Sequence, residues 1–301
     1  FGSPHEPYSG LPEDLALYND LPKRYPDKQV KLTSNETGEQ VTRPQGEVLR
    51  ERYAEITAMD RAIGILRKHL ATRGLRENTL LFYCGDNGTS PDASLASPHR
   101  GVKGQVYEAG TRVPGILEWP ARIQQSRVTK VRASTSDLLP TVCAATGQPL
   151  PARPLDGMDL MPLIEGRMTE RSSPIAIWEY NFARFKGIKL EPYLPQSLQE
   201  GTTPVVKKAE GKATRDFRNI RHPGEIGEAD YTGPRAIIDG DMKLVIHESK
   251  QGEPRHELFN LETDPGEKTN LFEQQRDTGA RLQLRLREWQ GSVLKSLTGA
   301  D

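Results

Sequence analysis

Glu77-Asn-Thr-Leu-Leu-Phe-Tyr-Cys-Gly-Asp-Asn-Gly88 is the stretch whose reading decides the fold. Residues 79–84 form a short, unbroken apolar run rich in strand formers. Such a run suits a strand buried on both faces, as in a parallel sheet flanked by helices. Asp86 and Asn87 follow it at once, and open α/β sheets place ligands just past the carboxyl ends of their strands. A carboxylate and an amide oxygen are hard donors, suited to Ca2+ or Mg2+ rather than to a soft metal. Asp-Asn-Gly is equally a common turn sequence, and the tripeptide alone does not separate the two readings.

Working outward, residues 45–72 carry a helical pattern: Leu49, Tyr53, Ile56, Ile63, Leu66 and Leu70 share one face, and Gly74 supplies a stop. A helix, a tight turn and a buried strand make the αβ half of an α/β unit. Residues 1–43, with Pro and Gly throughout, read as an extended loop. Downstream, residues 115–119 read as another core strand stopped by Pro120. Residues 136–146 read as a helix capped by Ser136 and ended by Gly147. From about residue 170 the texture changes. Residues 175–180 read as a strand, and residues 181–234 as a charged, Pro/Gly-rich excursion. Residues 235–247 read as a hairpin joined at Asp239-Gly240, and residues 256–260 as a further strand. Leu282, Leu286, Trp289, Val293 and Leu297 mark a terminal amphipathic helix. The expected organisation is an α/β portion over residues 1–170 and a small antiparallel α+β subdomain over residues 171–301.

The 301 residues balance 41 Lys+Arg against 41 Asp+Glu, so no basic excess asks for a nucleic-acid or anionic-membrane partner. No apolar run approaches the roughly 20 residues of a membrane span. The 23 prolines and 27 glycines fit long ordered loops rather than a helix bundle. Cys84 and Cys143 both sit in apolar runs, which favours buried free thiols over a disulfide.

Several further residues could carry chemistry. In Arg100-Gly-Val-Lys103-Gly a lysine between glycines can approach a tetrahedral oxyanion closely, although a surface turn with a solvated lysine has the same sequence. Glu108 and Arg112 are spaced to pair beside it. His5, held between Pro4 and Pro7, is positioned to donate a hydrogen bond to an anion, and His99 is a lesser candidate of the same kind. His69, on the polar side of the first helix, reads as solvated. His222, His247 and His256 show no metal-site spacing.

The order and wording of these segments resemble the sulfatases of the alkaline phosphatase superfamily. Ser3-Pro-His-Glu-Pro-Tyr8 is similar to the loop bearing that family's sulfate-contacting histidine. Residues 77–88 are similar to its second metal-binding segment, and Arg100-Gly-Val-Lys-Gly104 with Tyr107-Glu-Ala-Gly-Thr-Arg-Val-Pro114 to its lysine loop. Ser136-Asp-Leu-Leu-Pro-Thr141, Leu155-Asp-Gly-Met-Asp-Leu160, Gly240-Asp-Met-Lys-Leu244 and the run from Glu257-Leu-Phe-Asn to Asn270-Leu match later landmarks. The resemblance implies an alkaline-phosphatase-like mixed sheet flanked by helices, truncated at its N-terminus, and calcium-dependent hydrolysis of a sulfate ester. It implies Asp86 and Asn87 as calcium ligands, Lys103 and His5 as groups on the ester, His99 beside them, and Glu108 and Arg112 as support. A sulfated carbohydrate, as for N-acetylgalactosamine-6-sulfatase-type enzymes, is one candidate substrate. A periplasmic, secreted or lysosomal location is the family expectation.

The pattern also departs from the family. The family nucleophile is a formylglycine made from a Cys/Ser-x-Pro/Ala-x-Arg motif, and neither Cys84, Cys143 nor any serine begins one. The family's Asp-Asp metal pair and its Lys-x-His segment are missing as well. The expectation is that roughly 150 to 200 residues bearing these parts precede Phe1. Asp86 and Asn87 cannot supply the about six to eight oxygens calcium takes, so weak metal binding and no turnover are expected of these residues by themselves. A phosphonate or phosphodiester hydrolase of the same superfamily, and a non-catalytic binding protein of the same fold, remain open alternatives.

Overall fold

The computed structural model describes residues 4–25, 28–181, 225–249 and 252–301. The expected excursion at 181–234 lies largely outside these residues, as does His222. The elements run α1 (Pro12–Ala16), α2 (Leu21–Arg24), β1 (Gln29–Thr33), β2 (Gln40–Pro44), α3 (Gln45–Thr72), β3 (Leu81–Cys84), α4 (Glu108–Thr111), β4 (Gly115–Glu118), α5 (Leu138–Thr146), α6 (Met161–Ile164), β5 (Ile175–Trp178), β6 (Arg235–Asp239), β7 (Met242–His247), β8 (Arg255–Asn260) and α7 (Arg276–Thr298). Two compact units emerge. The first holds residues 1–130, 164–167 and 265–268, and the second residues 131–163, 168–264 and 269–301.

In the first unit, α3 occupies the span its periodicity dictated. Arg73 caps it, and Gly74 follows at φ +66°, a conformation that costs glycine little. Its N-terminal half buries Val48, Leu49, Ala54 and Met59. Val48 packs with Tyr8 and Leu32, whereas Leu49 packs with Leu21 and Ala93. Farther along, the stripe is only partly covered: Ile56 and Leu66 are exposed, Ile63 and Leu70 half-buried, and Ile65 beside it is exposed.

The region upstream of α3 corrects the extended-loop reading. Two short helices and an antiparallel β1–β2 hairpin, pairing Gln29 with Pro44 through Thr33 with Gln40, replace it. Helices of four or five residues are too short to show periodicity and hold only because α3 packs on them.

The deciding strand also needs correction. β3 pairs antiparallel with β4, Leu81 opposite Glu118 and Cys84 opposite Gly115, in a sheet that has two strands among the described residues. It is not buried on both faces, since Phe82 and Ile116 are exposed. β4 is a strand where expected, but not a core one.

The second unit carries the antiparallel sheet β5-β6-β7-β8 with α7 against it. Ile237, Leu244, Ile246, Leu258, Leu282 and Leu286 form its core. The β6–β7 hairpin turns one residue later than read, on Gly240-Asp241, because Asp239 pairs with Met242. The 136–146 helix begins earlier: a 3-10 turn over Thr135–Asp137 leads into α5. Ser134, not Ser136, is the cap, with Asp137 completing a capping box. Gly147 ends α5 at φ +69°. Both cysteines are free, Cys143 buried and Cys84 half-buried.

Candidate functional site

The site is assembled around the turn that leaves β3. Gly88 N–H donates to the Gly110 carbonyl at 3.2 Å and Thr89 N–H to the Ala109 carbonyl at 2.6 Å. Lys103 N–H donates to the Thr89 carbonyl at 2.7 Å, and Ala109 N–H to the Arg100 carbonyl at 2.8 Å. These bonds staple the Asp86-Asn87 turn to the Arg100–Arg112 loop. Close approach is possible only because glycines meet there. A Cβ on Gly88 would lie 2.1 Å from the Ala109 carbonyl oxygen, and one on Gly110 would lie 2.0 Å from that of Gln105. Gly101 and Gly104 on either side of Lys103 both sit at φ +87°.

Side chains then differentiate. Asp86 and Lys103 are exposed, and neither makes a side-chain hydrogen bond or ion pair among the described residues. Asn87 is half-buried and donates through Nδ2 to the Gly88 carbonyl at 3.3 Å. Glu108 is buried at the start of α4 and pairs with Arg112 at 3.7 Å, as the spacing suggested. The Arg100 guanidinium lies 4.0 Å from the Tyr107 ring centroid and bonds its hydroxyl at 3.0 Å. His99 is half-buried, with Nδ1 at 2.9 Å from the Pro265 carbonyl oxygen.

His5 is exposed, and its Nδ1 lies 2.7 Å from the neighbouring Glu6 carbonyl oxygen. No hydrogen bond joins it to Asp86, Asn87 or Lys103. Its loop is nevertheless tied to theirs through Tyr8, whose hydroxyl donates to Asp92 Oδ2 at 2.6 Å. Arg52 Nη1 donates to the Tyr8 hydroxyl at 2.9 Å and to Ser90 Oγ at 2.7 Å. Burial, joined by donation to Asp92, pushes the Tyr8 pKa up to about 12. Reading along the sequence missed Tyr8, Arg52 and Asp92. The aromatic ending of Ser3-Pro-His-Glu-Pro-Tyr8 was the available signal for the first of them.

Among the described residues no three His, Cys, Asp or Glu side chains cluster to hold a metal ion. In chemical type the Asp86 carboxylate and the Asn87 amide oxygen are hard donors, the kind a divalent cation such as Ca2+ takes.

The sulfatase family model matches residues 1–148. Human arylsulfatase A is 40% identical over 218 residues, which cover 71% of this chain and 37% of that protein. A solved structure described as Ps i-CgsB covers 97% of this chain and 49% of its own, with a TM-score of 0.64 at 18% identity. The same protein is also solved in complex with k-i-k-neocarrahexaose. The phosphonate monoester hydrolase of Agrobacterium radiobacter covers 82% of this chain and 42% of its own, with a TM-score of 0.54 at 18% identity. These likenesses show the alkaline-phosphatase-like fold, and the chain spans half or less of the length of each of these proteins. The match of the sulfatase family model over residues 1–148 and the 40% identity to human arylsulfatase A over 71% of this chain make the chain similar in sequence to the sulfatases.

Proposed function

We propose that these residues supply part of the ester-binding site of a sulfuric ester hydrolase, holding the sulfate group while a segment outside this sequence supplies the nucleophile. One observation carries the reading. Asp86 and Lys103, 17 positions apart in the sequence, lie on segments joined through the Lys103–Thr89 backbone bond, and both charged side chains are exposed with no ion pair between them.

Lys103 donates to the sulfuryl oxygens and places its positive charge where the departing alkoxide develops charge. His5 donates to the same anion from the opposite segment of the chain. Asp86 and Asn87 would hold a calcium ion, which when bound polarises the sulfuryl oxygens. Gly88 and Gly110 keep the two loops in backbone contact, so that these groups meet one ester. His99, Glu108 and Arg112 support the lysine loop. A sulfated carbohydrate is the proposed substrate class, supported by the sugar complex of the Ps i-CgsB neighbour. The family expectation of a periplasmic, secreted or lysosomal setting stands with it. No described helix is long and apolar enough to cross a membrane.

The test is kinetic. In the full-length protein, Lys103→Ala and Asp86→Ala are each expected to lower kcat/KM on an aryl sulfate by about 100-fold or more with the thermal transition preserved. Full activity in both variants refutes the assignment. The phosphonate hydrolase neighbour sustains a second reading, because both esters are tetrahedral anions. Faster turnover of a matched phosphonate monoester than of the sulfate would establish that reading instead. The chain by itself is expected to bind Ca2+ weakly and to turn over no aryl sulfate; micromolar calcium binding in a calorimetric titration overturns the shared-shell view.

A further inference from the structure

The lysine loop leans on a residue more than 150 positions away. Residues 265–268 belong to the first unit although the chain on either side of them belongs to the second. Within that short segment Glu267 is 1% exposed and is the one non-glycine among the described residues at positive φ, +53°. A charged residue held both buried and left-handed is costly twice over, and such costs concentrate where function over-determines the geometry. Glu267 Oε2 accepts from the Glu108 backbone N–H at 2.7 Å. Its own carbonyl accepts from Arg100 Nη1 at 3.2 Å. Two carbonyls earlier in the same segment, that of Pro265 lies 2.9 Å from His99 Nδ1. The segment thus grips residues 99, 100 and 108, which bracket Lys103.

We infer that Glu267 is a positioning residue for Lys103, its buried carboxylate fixing the loop that presents the lysine to the sulfate ester. The inference rests on the proposed function for what the lysine meets, and on geometry alone for what holds it. Glycine offers a discriminating substitution. It relaxes the backbone at φ +53° and deletes the carboxylate, so a residue needed only for the turn is indifferent to it or gains stability from it.

The experiment is amide hydrogen exchange on the full chain for Glu267→Gly and Glu267→Gln, with inorganic sulfate titrated against the Lys103 resonances by NMR. Glu267→Gly is expected to speed exchange at Glu108 and Lys103 by about 10- to 100-fold, with Leu244 and Ile246 in the second unit unchanged. It is also expected to weaken the sulfate response at Lys103 by about tenfold. Glu267→Gln keeps the length and one acceptor oxygen but loses the charge, and is expected to recover most of the loss while leaving exchange at Glu108 and Lys103 a few-fold faster than in wild type and the sulfate response measurably weaker. Unchanged exchange at Lys103 in Glu267→Gly, or equal acceleration throughout the chain, overturns the inference. Should Glu267→Gly not fold, Glu267→Gln decides on the same readouts: acceleration at Glu108 and Lys103 by a few-fold supports it, and wild-type exchange and sulfate response overturn it. Local loosening without any sulfate response at wild-type Lys103 refutes the ester-binding reading, and the role assigned to Glu267 toward sulfate falls with it.

Discussion

Tyr8 shows how much a single hydroxyl can organise. It donates a hydrogen bond to Asp92 and accepts one from Arg52, and Arg52 also reaches Ser90, three residues past Asn87. Tyr8→Phe keeps the buried ring against Leu32 and Val48 but leaves a half-buried carboxylate and guanidinium without their shared partner. A loss of about 1–3 kcal/mol in a denaturant titration is expected. The tyrosine pKa is raised in the folded state, so the hydroxyl's contribution is whole below the unfolded value near ~10. It fades as pH rises through that value toward 12, and a stability–pH profile that is flat there in wild type contradicts the network. Gly110→Ala tests the staple directly. Its Cβ would meet backbone oxygens of Gln105 and Val102 at 2.0 and 2.7 Å, which cannot rotate away. A destabilisation of about 1–3 kcal/mol is expected, together with loss of the Lys103 amide protection that the Thr89 carbonyl provides. Asp86, Asn87 and Lys103 stand out as candidates in the sequence because a motif keeps them within a few residues of recognisable neighbours. Tyr8 to Asp92 spans 84 positions and Glu108 to Glu267 spans 159, and no local spacing encodes bonds of that separation.

At the scale of elements, local cooperation decided what could be read. α3 was legible from end to end, because 28 residues repeat one face often enough to outweigh any single position. α1 and α2 were not, since four or five residues hold no period. β3 was legible as a strand, yet its pairing was not: an apolar run reports that a strand wants cover, not which partner runs beside it. The entry to α5 shows the same limit. Ser134 and Ser136 are equally good caps in the sequence, and what selects Ser134 is Asp137, buried with its carboxylate on Ser134 N–H, Met158 N–H and both Arg171 nitrogens. Burial alone would push the Asp137 carboxyl up; the Arg171 pair and the two backbone donors outweigh it and hold it below the usual carboxylate range. Because the folded value is depressed, this clasp stabilises the second unit above the unfolded value near ~4. The contribution is lost as pH falls through the folded one. Arg171→Met strands a buried charge and is expected to cost about 3–5 kcal/mol at neutral pH, with the difference from wild type narrowing under acid. A constant difference across that range, measured by thermal unfolding, counts against the clasp.

For the molecule as a whole, the uncovered apolar surface sets solution behaviour. Ile65 is 67% exposed on α3 and Ile116 is 63% exposed on β4, and Phe82 and Leu66 are exposed in the same unit. β3 and β4 pair only with each other among the described residues, which leaves unpaired strand edges of the kind that template association. Charge offers little opposition, since 41 basic and 41 acidic residues cancel at neutral pH and a net charge near zero favours association. The chain is therefore expected to self-associate with rising concentration near neutrality. Replacing Ile65 and Ile116 together by lysine removes two exposed apolar side chains and adds two positive charges. Neither isoleucine belongs to a buried cluster among the described residues, so stability is expected to stay within about 0.5 kcal/mol per site. Light scattering at matched concentration is expected to fall and dye binding to apolar surface with it. A double variant that scatters like wild type places the association elsewhere, and one that unfolds shows that these side chains support the core after all.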